Sequence, residues 1–153
     1  MSATDAPRTE IVDLLNRLAY AADAAPDAAL ATSYQPYFTD DAVWEMRSES
    51  ATDRRTGIDE IMDGVMQRRR IGRNGPDTGV RHHITTVVVE ATSDESWTAT
   101  SYYLVTGADG LVRSSGRYTD HVVRIDRRCR ISERVVQVGA PTPPSVTHDR
   151  AAD

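Results

Sequence analysis

Apolar residues recur at helical spacing in the first third of the chain. In TEIVDLLNRLAYAAD, residues 9–23, Ile11, Leu14, Leu15, Leu18 and Ala22 fall on one stripe, which predicts a helix with one face against a core. Pro26 and Asp27 break that pattern and restart it as PDAALATSYQPYF, proline first and acid next, as helix starts prefer. TDDAVWEM reads as a turn followed by a short strand. TGIDEIMDGVMQRRR predicts a second amphipathic helix, with Ile58, Ile61, Met62, Val65 and Met66 on one side. IGRNGPDTG follows, with three glycines and a proline in nine residues, and reads as a mobile loop.

From residue 81 the period becomes two. HHITTVVVE, WTATSYYLVT, GRYTDHVVRI and RCRISERVVQV are four β-rich runs joined by short turns, hence an antiparallel meander. Adjacent side chains on a strand point to opposite faces, so of His82 and His83 only one can share a face with Ile84, Thr86 and Val88. Val87 and Val89 are then expected on the outer face, as part of an oligomer interface. Helices followed by long antiparallel strands predict an α+β fold, a curved sheet with helices on its concave face and an internal pocket. Residues 1–138 are expected to form one domain, and the proline-rich 139–153 a loosely held tail.

Composition narrows the function. The chain has 153 residues, 39% hydrophobic and 27% charged, as ordinary soluble proteins do. A net charge of -5 argues against a nucleic-acid partner, although all eighteen basic residues are arginine. The single Cys129, within a strand-like run, reads as a buried, inert thiol in a cytoplasmic protein. No apolar run reaches the length of a membrane span, and MSATDAPRTE lacks the apolar core of a signal peptide. There is no glycine-rich phosphate loop, nucleophile elbow or cluster at zinc spacing, so neither metal nor cofactor is expected.

The segments YAADAAPDAAL, FTDDAVWE, TGIDEI, HHITTVVVE, SGRYTDHVVRID and RISERVV occur in the order found in SnoaL-like proteins. Over residues 8 to 138 the chain thus resembles that branch of the cone-shaped, nuclear-transport-factor-2-like superfamily. The pattern is most similar to hexachlorocyclohexane dehydrochlorinase, scytalone dehydratase and bile-acid dehydratase, which use an Asp–His pair inside the cone. The resemblance implies Asp23 and His82 for that pair, Arg134 as a cavity cation, and Trp44 as a lining residue. It also puts Tyr103, rather than Tyr102, toward the cavity, with Tyr118, Val105, Val136 and Met66 as further substrate-binding candidates. Thr86 replaces the asparagine of the family's His-x-x-Thr-Asn run, and a short insertion lies near YQPY. Leu18 stands where the family places a polar residue; Tyr20, one helical turn before Asp23, is the candidate proton donor in its stead.

An imidazole beside a buried carboxylate is a proton-abstracting base, and an arginine or tyrosine across the cavity can stabilise the resulting oxyanion. Asp23, His82, Arg134 and Tyr20 supply these parts, for a dehydratase (lyase), cyclase or isomerase acting on a small hydrophobic polyketide-, polycycle- or steroid-like substrate. Blander roles compete. Asp23 could cap a helix end, His82 could be a satisfied core histidine, and Arg134 could pair with Glu133 or Asp126 at the surface. His83 suits packing or an interface, His121 a structural place, and Arg68–Arg70 a solvated helix end favoured by the dipole. At the level of the whole protein the rivals are a non-catalytic carrier and an accessory subunit like the small subunits of ring-hydroxylating dioxygenases. A homodimer or homotrimer is expected.

Overall fold

The first helical stripe folds as its spacing predicts. In the computed structural model, which describes residues 5–139, α1 runs Asp5–Ala24 and buries Ile11, Leu14, Leu15 and Leu18. The proline-led restart yields only short turns: 3₁₀ segments at Asp27–Ala29 and Gln35–Tyr37 flank α2, Leu30–Ser33. Pro36 cannot donate a helical hydrogen bond, and the run ends there. α3, Ile58–Arg70, carries the second stripe.

Strand β1 is longer than the sequence suggests. It spans Phe38–Arg47, and the TDD expected as a turn lies inside it. Its register against the neighbouring strand jumps between Phe38 and Val43, so Asp40 and Asp41 bulge into solvent. β2, Thr52–Thr56, has no apolar alternation to reveal it and is a polar edge strand. Gly57, at a φ of 85°, turns the chain from β2 into α3 and donates its N–H to the Ala42 carbonyl at 2.8 Å.

The meander is as expected: β3 Arg81–Ser93, β4 Ser96–Thr106, β5 Val112–Ile125 and β6 Arg128–Val138, all antiparallel. The sheet order is β2-β1-β6-β5-β4-β3, with β1 and β6 parallel. α1 packs against β3 and β6, and α3 against β1 and β2, so the helices cover the concave face of a curved α+β sheet. One end is solid, filled by Ile11, Leu14, Phe38, Ala99, Val122 and Ile131. Glu10 secures it by accepting the Cys129 N–H at 2.8 Å. The other end is hollow.

The faces of β3 differ from the predicted alternation. Thr86 adopts φ 54°, and the register to β4 slips between Thr85 and Val88. This bulge inverts the parity beyond it. His82 and Ile84 face inward, yet so do Val87 and Val89, which pack against the core, while Val88 is exposed outside. The outer patch expected at Val87 and Val89 is therefore formed by Val88, with Tyr102 and Leu104 of β4. The glycine-rich loop after α3 closes on itself, Thr78 Oγ1 donating to the Gly75 carbonyl at 2.8 Å. Residues 140–153, nearly all of the proline-rich tail, lie outside the described residues. Among the described residues no helix is long and apolar enough to cross a membrane.

Candidate active site

Asp23 stands in the last turn of α1, where β3 crosses beneath it, and is only 5% exposed. Both its oxygens are engaged by one residue. Oδ1 lies 2.6 Å from His82 Nδ1, and Oδ2 accepts the His82 backbone N–H at 2.7 Å. The carboxylate thereby fixes the strand's entry and the ring together. A carboxylate oxygen can only accept, so the hydrogen of that contact is on Nδ1, and in the neutral ring Nε2 is then the nitrogen with the lone pair, on a residue that lines the hollow. His83 points the other way, its Nε2 3.0 Å from Thr106 Oγ1 on the exposed side.

The hollow measures about 950 Å³, within the range of small-molecule sites. Trp44, Tyr103, Tyr118, Val105 and Val136 line it, as expected from the sequence, together with Leu18 and Ile84. Tyr103 and Tyr118 stack with ring centroids 4.5 Å apart. Gly116, opposite Tyr103 on β5, makes room for that ring: a Cβ there would fall 2.9 Å from it and 2.0 Å from the Gln137 carbonyl. Burial raises the pKa of both phenols, although a 3.3 Å contact with Ser114 Oγ opposes the rise at Tyr103. Both stay protonated at neutral pH.

Arg134 is in the cavity wall and not at the surface beside Glu133 or Asp126. Its partner is the cross-strand Asp120, which is wholly buried: Nε donates to Oδ1 at 2.6 Å and Nη2 to Oδ2 at 3.0 Å. Burial disfavours the guanidinium charge, but the attraction of Asp120 outweighs it and raises the pKa. The guanidinium also covers the Tyr118 ring at 4.4 Å. Nη1 makes no hydrogen bond to a described residue.

Two expected site residues do not join. Tyr20 is 74% exposed. At about 100° per residue it lies roughly 200° around α1 from Leu18, on the side away from the core. Met66 packs beside the core but borders a separate outer cleft with Pro26, Asp27 and Arg69. The cavity face of α3 is Gly64, Gln67 and Arg68, continued by Ile71 just past its end.

Three contributors were not among the site residues expected from the sequence. Tyr34, in the YQPY stretch, is buried and lines the cavity. Arg68 and Arg69, expected as a solvated helix end, are instead half-buried and held against the rest of the fold. Arg68 holds its guanidinium 4.6 Å over the Trp44 ring inside the cavity. Arg69 donates to the Ala21, Ala22 and Ala25 carbonyls at 2.7 to 3.1 Å and to Asp27 at 2.7 Å, closing the α1 C-terminus next to Asp23. α1 has no basic residue of its own in its last turn, the one sequence signal that a distant cation would be needed there.

Comparison with known proteins agrees with this architecture. The profile of the SnoaL-like domain family matches residues 5–135. No curated protein sequence matches. Among solved structures, the beta subunit of an inferred aromatic-ring-hydroxylating dioxygenase from Novosphingobium aromaticivorans superposes with a TM-score of 0.72 at 17% identity, covering 95% of this chain and 97% of that one. A protein assigned by inference as a scytalone dehydratase, from the same organism, gives 0.70 at 16% identity, over 90% and 87% of the two chains. ActVI-ORFA of Streptomyces coelicolor gives 0.69 at 21%, over 86% and 97%. At such identities the likeness is one of fold.

Proposed function

Because the chain belongs to the SnoaL-like domain family, we propose that it is a cofactor-independent lyase, cyclase or isomerase that removes a proton from a small, hydrophobic, polycyclic or polyketide-like substrate. The observation that carries this reading is the clamp of Asp23 on His82 at the cavity wall. His82 Nε2 takes the proton, and Asp23, already bonded to Nδ1–H, stabilises the imidazolium that forms. The negative charge left on the substrate oxygen is met by the free Nη1 of Arg134. Tyr34 and Tyr118 line the same space, and we assign to them the donor role expected of Tyr20. The imidazolium then returns its proton to a leaving hydroxyl, to the alkoxide oxygen that ring closure creates, or to another carbon of the substrate. The open cavity supports a ligand-bound function over that of a plugged accessory subunit. We assign the convex patch of Val88, Tyr102 and Leu104 to the homodimer or homotrimer contact.

Deuterium wash-in tests the reading. Small polycyclic ketones are incubated in D₂O with the protein and followed by mass spectrometry. The wild type should accelerate exchange, with His82→Gln and Asp23→Asn lowering the rate by about a hundredfold or more. Exchange that is absent for the wild type, or equal in the variants, would leave a carrier.

A further inference from the structure

The arginines around the cavity are not equivalent. Arg55 is held by Asp53 at 3.2 Å, Arg113 by Asp109 at 2.5 Å, and Arg134 by Asp120 at 2.6 Å. Arg73 stands exposed at the rim. Arg68 is half-buried, and its side chain forms no ion pair or hydrogen bond with any described residue. Burial is the main influence on its pKa and lowers it, and the like charge of Arg55 adds to the penalty. Tyr34, Asp53 and Tyr118 act in the opposite direction, but none of them makes an ion pair or hydrogen bond with Arg68, and the Asp53 carboxylate is already engaged by Arg55. A guanidinium drawn out of water without a counter-charge is costly, and stacking on the Trp44 ring offsets only part of that cost.

The position of Arg68 adds a second constraint. It sits over Trp44 of β1, whose register partner in β6 is Arg134. His82 lies on β3, at the opposite edge of the sheet order. Four strand spacings separate β1 from β3, roughly 19 Å along the sheet and less across its concave side. The cavity therefore has a basic nitrogen on one wall and an uncompensated cation on the other, several bonds apart.

We infer that Arg68 is the anion-binding residue of this cavity and that the substrate is a carboxylic acid, its carboxylate held between Arg68 and the rim while a remote carbon meets His82. Only the placement of the reacting carbon rests on the proposed base chemistry; the anion site stands on Arg68 and Trp44. Holding a non-reacting end of the substrate is a way to spend binding energy on orienting the reacting one. Arg134, neutralised by Asp120, is left for charge that develops during the reaction.

The test compares two probes of matched shape, 2-naphthoate and 2-naphthamide, titrated into the full chain and followed by NMR. The wild type should bind naphthoate about tenfold or more tighter than the amide, as a charge-assisted bidentate contact allows. In Arg68→Gln the two should bind within about twofold of each other, and Arg68→Lys should keep part of the preference. Arg68→Met, which retains the stem packing, replaces the glutamine variant if thermal unfolding shows that variant misfolded. In His82→Gln the naphthoate preference should persist, so a failed base and a failed anion site are told apart. Equal binding by the wild type, binding of neither probe, or a preference that survives Arg68→Gln and Arg68→Met overturns the inference.

Discussion

Arg134 and Asp120 form a pair that cannot be halved. Asp120 is wholly buried, and its two oxygens are both answered by the guanidinium. Arg134→Met should therefore cost about 3–5 kcal/mol in urea unfolding, because it strands a buried carboxylate. Arg134→Met combined with Asp120→Leu should recover much of that loss, since an apolar pair of similar volume needs no counter-charge. Cys129 makes the opposite case, a titratable group with no work to do. Burial pushes its thiol up to about 11, so the native protein at pH 8 should resist iodoacetamide that labels the unfolded chain within minutes. The raised value also fixes a sign: the neutral thiol is favoured by the fold, so its contribution to stability is full below the unfolded pKa and is lost as pH rises toward 11. At this scale the sequence was legible where a residue's neighbours are local. The inert cysteine could be read from its strand-like run, whereas the partner of Arg134 could not, because Asp120 is paired with it only by the β5–β6 register.

Elements owe their stability to partners that local patterns do not name. The end of α1 is the clearest instance, since Arg69 of α3 closes three of its carbonyls and grips Asp27. Arg69→Met should lower stability by about 2 kcal/mol or more in thermal unfolding, and should weaken the Asp23–His82 contact that begins there. The proline-led restart after α1 gave only short turns, whereas α1, α3 and the four meander strands were readable from their apolar periods. β2 was not, being polar on an edge, and neither was the length of β1, whose acidic bulge mimics a turn. The bulge at Thr86 is a further limit of periodic reading. One inserted residue reversed the faces of Val87, Val88 and Val89 without altering the apolar content of the strand.

For the molecule as a whole, the fold class and the hollow followed from the order of elements, and Trp44, Tyr103, Tyr118, Val105 and Val136 do line it. Tyr20 was misplaced by reasoning that used spacing along a helix without knowing which side the sheet would cover, and Met66, a candidate from the resemblance, borders the outer cleft instead. The convex face can be examined directly. Light scattering at micromolar concentration should give a mass above that of one chain, and Tyr102→Arg with Leu104→Glu should reduce it to the monomer; a monomeric wild type would remove that contact. Asp23 reaches His82 through two independent bonds, one to the ring and one to the peptide, and neither involves the hydrophobic lining. The His82 ring is thus aimed by the scaffold rather than by whatever occupies the hollow. Exchanging Val105, Val136 or Ile84 for bulkier or smaller neighbours should retune which molecules fit while the aim is preserved, which makes this chain a suitable starting point for retargeting by redesign of its walls alone.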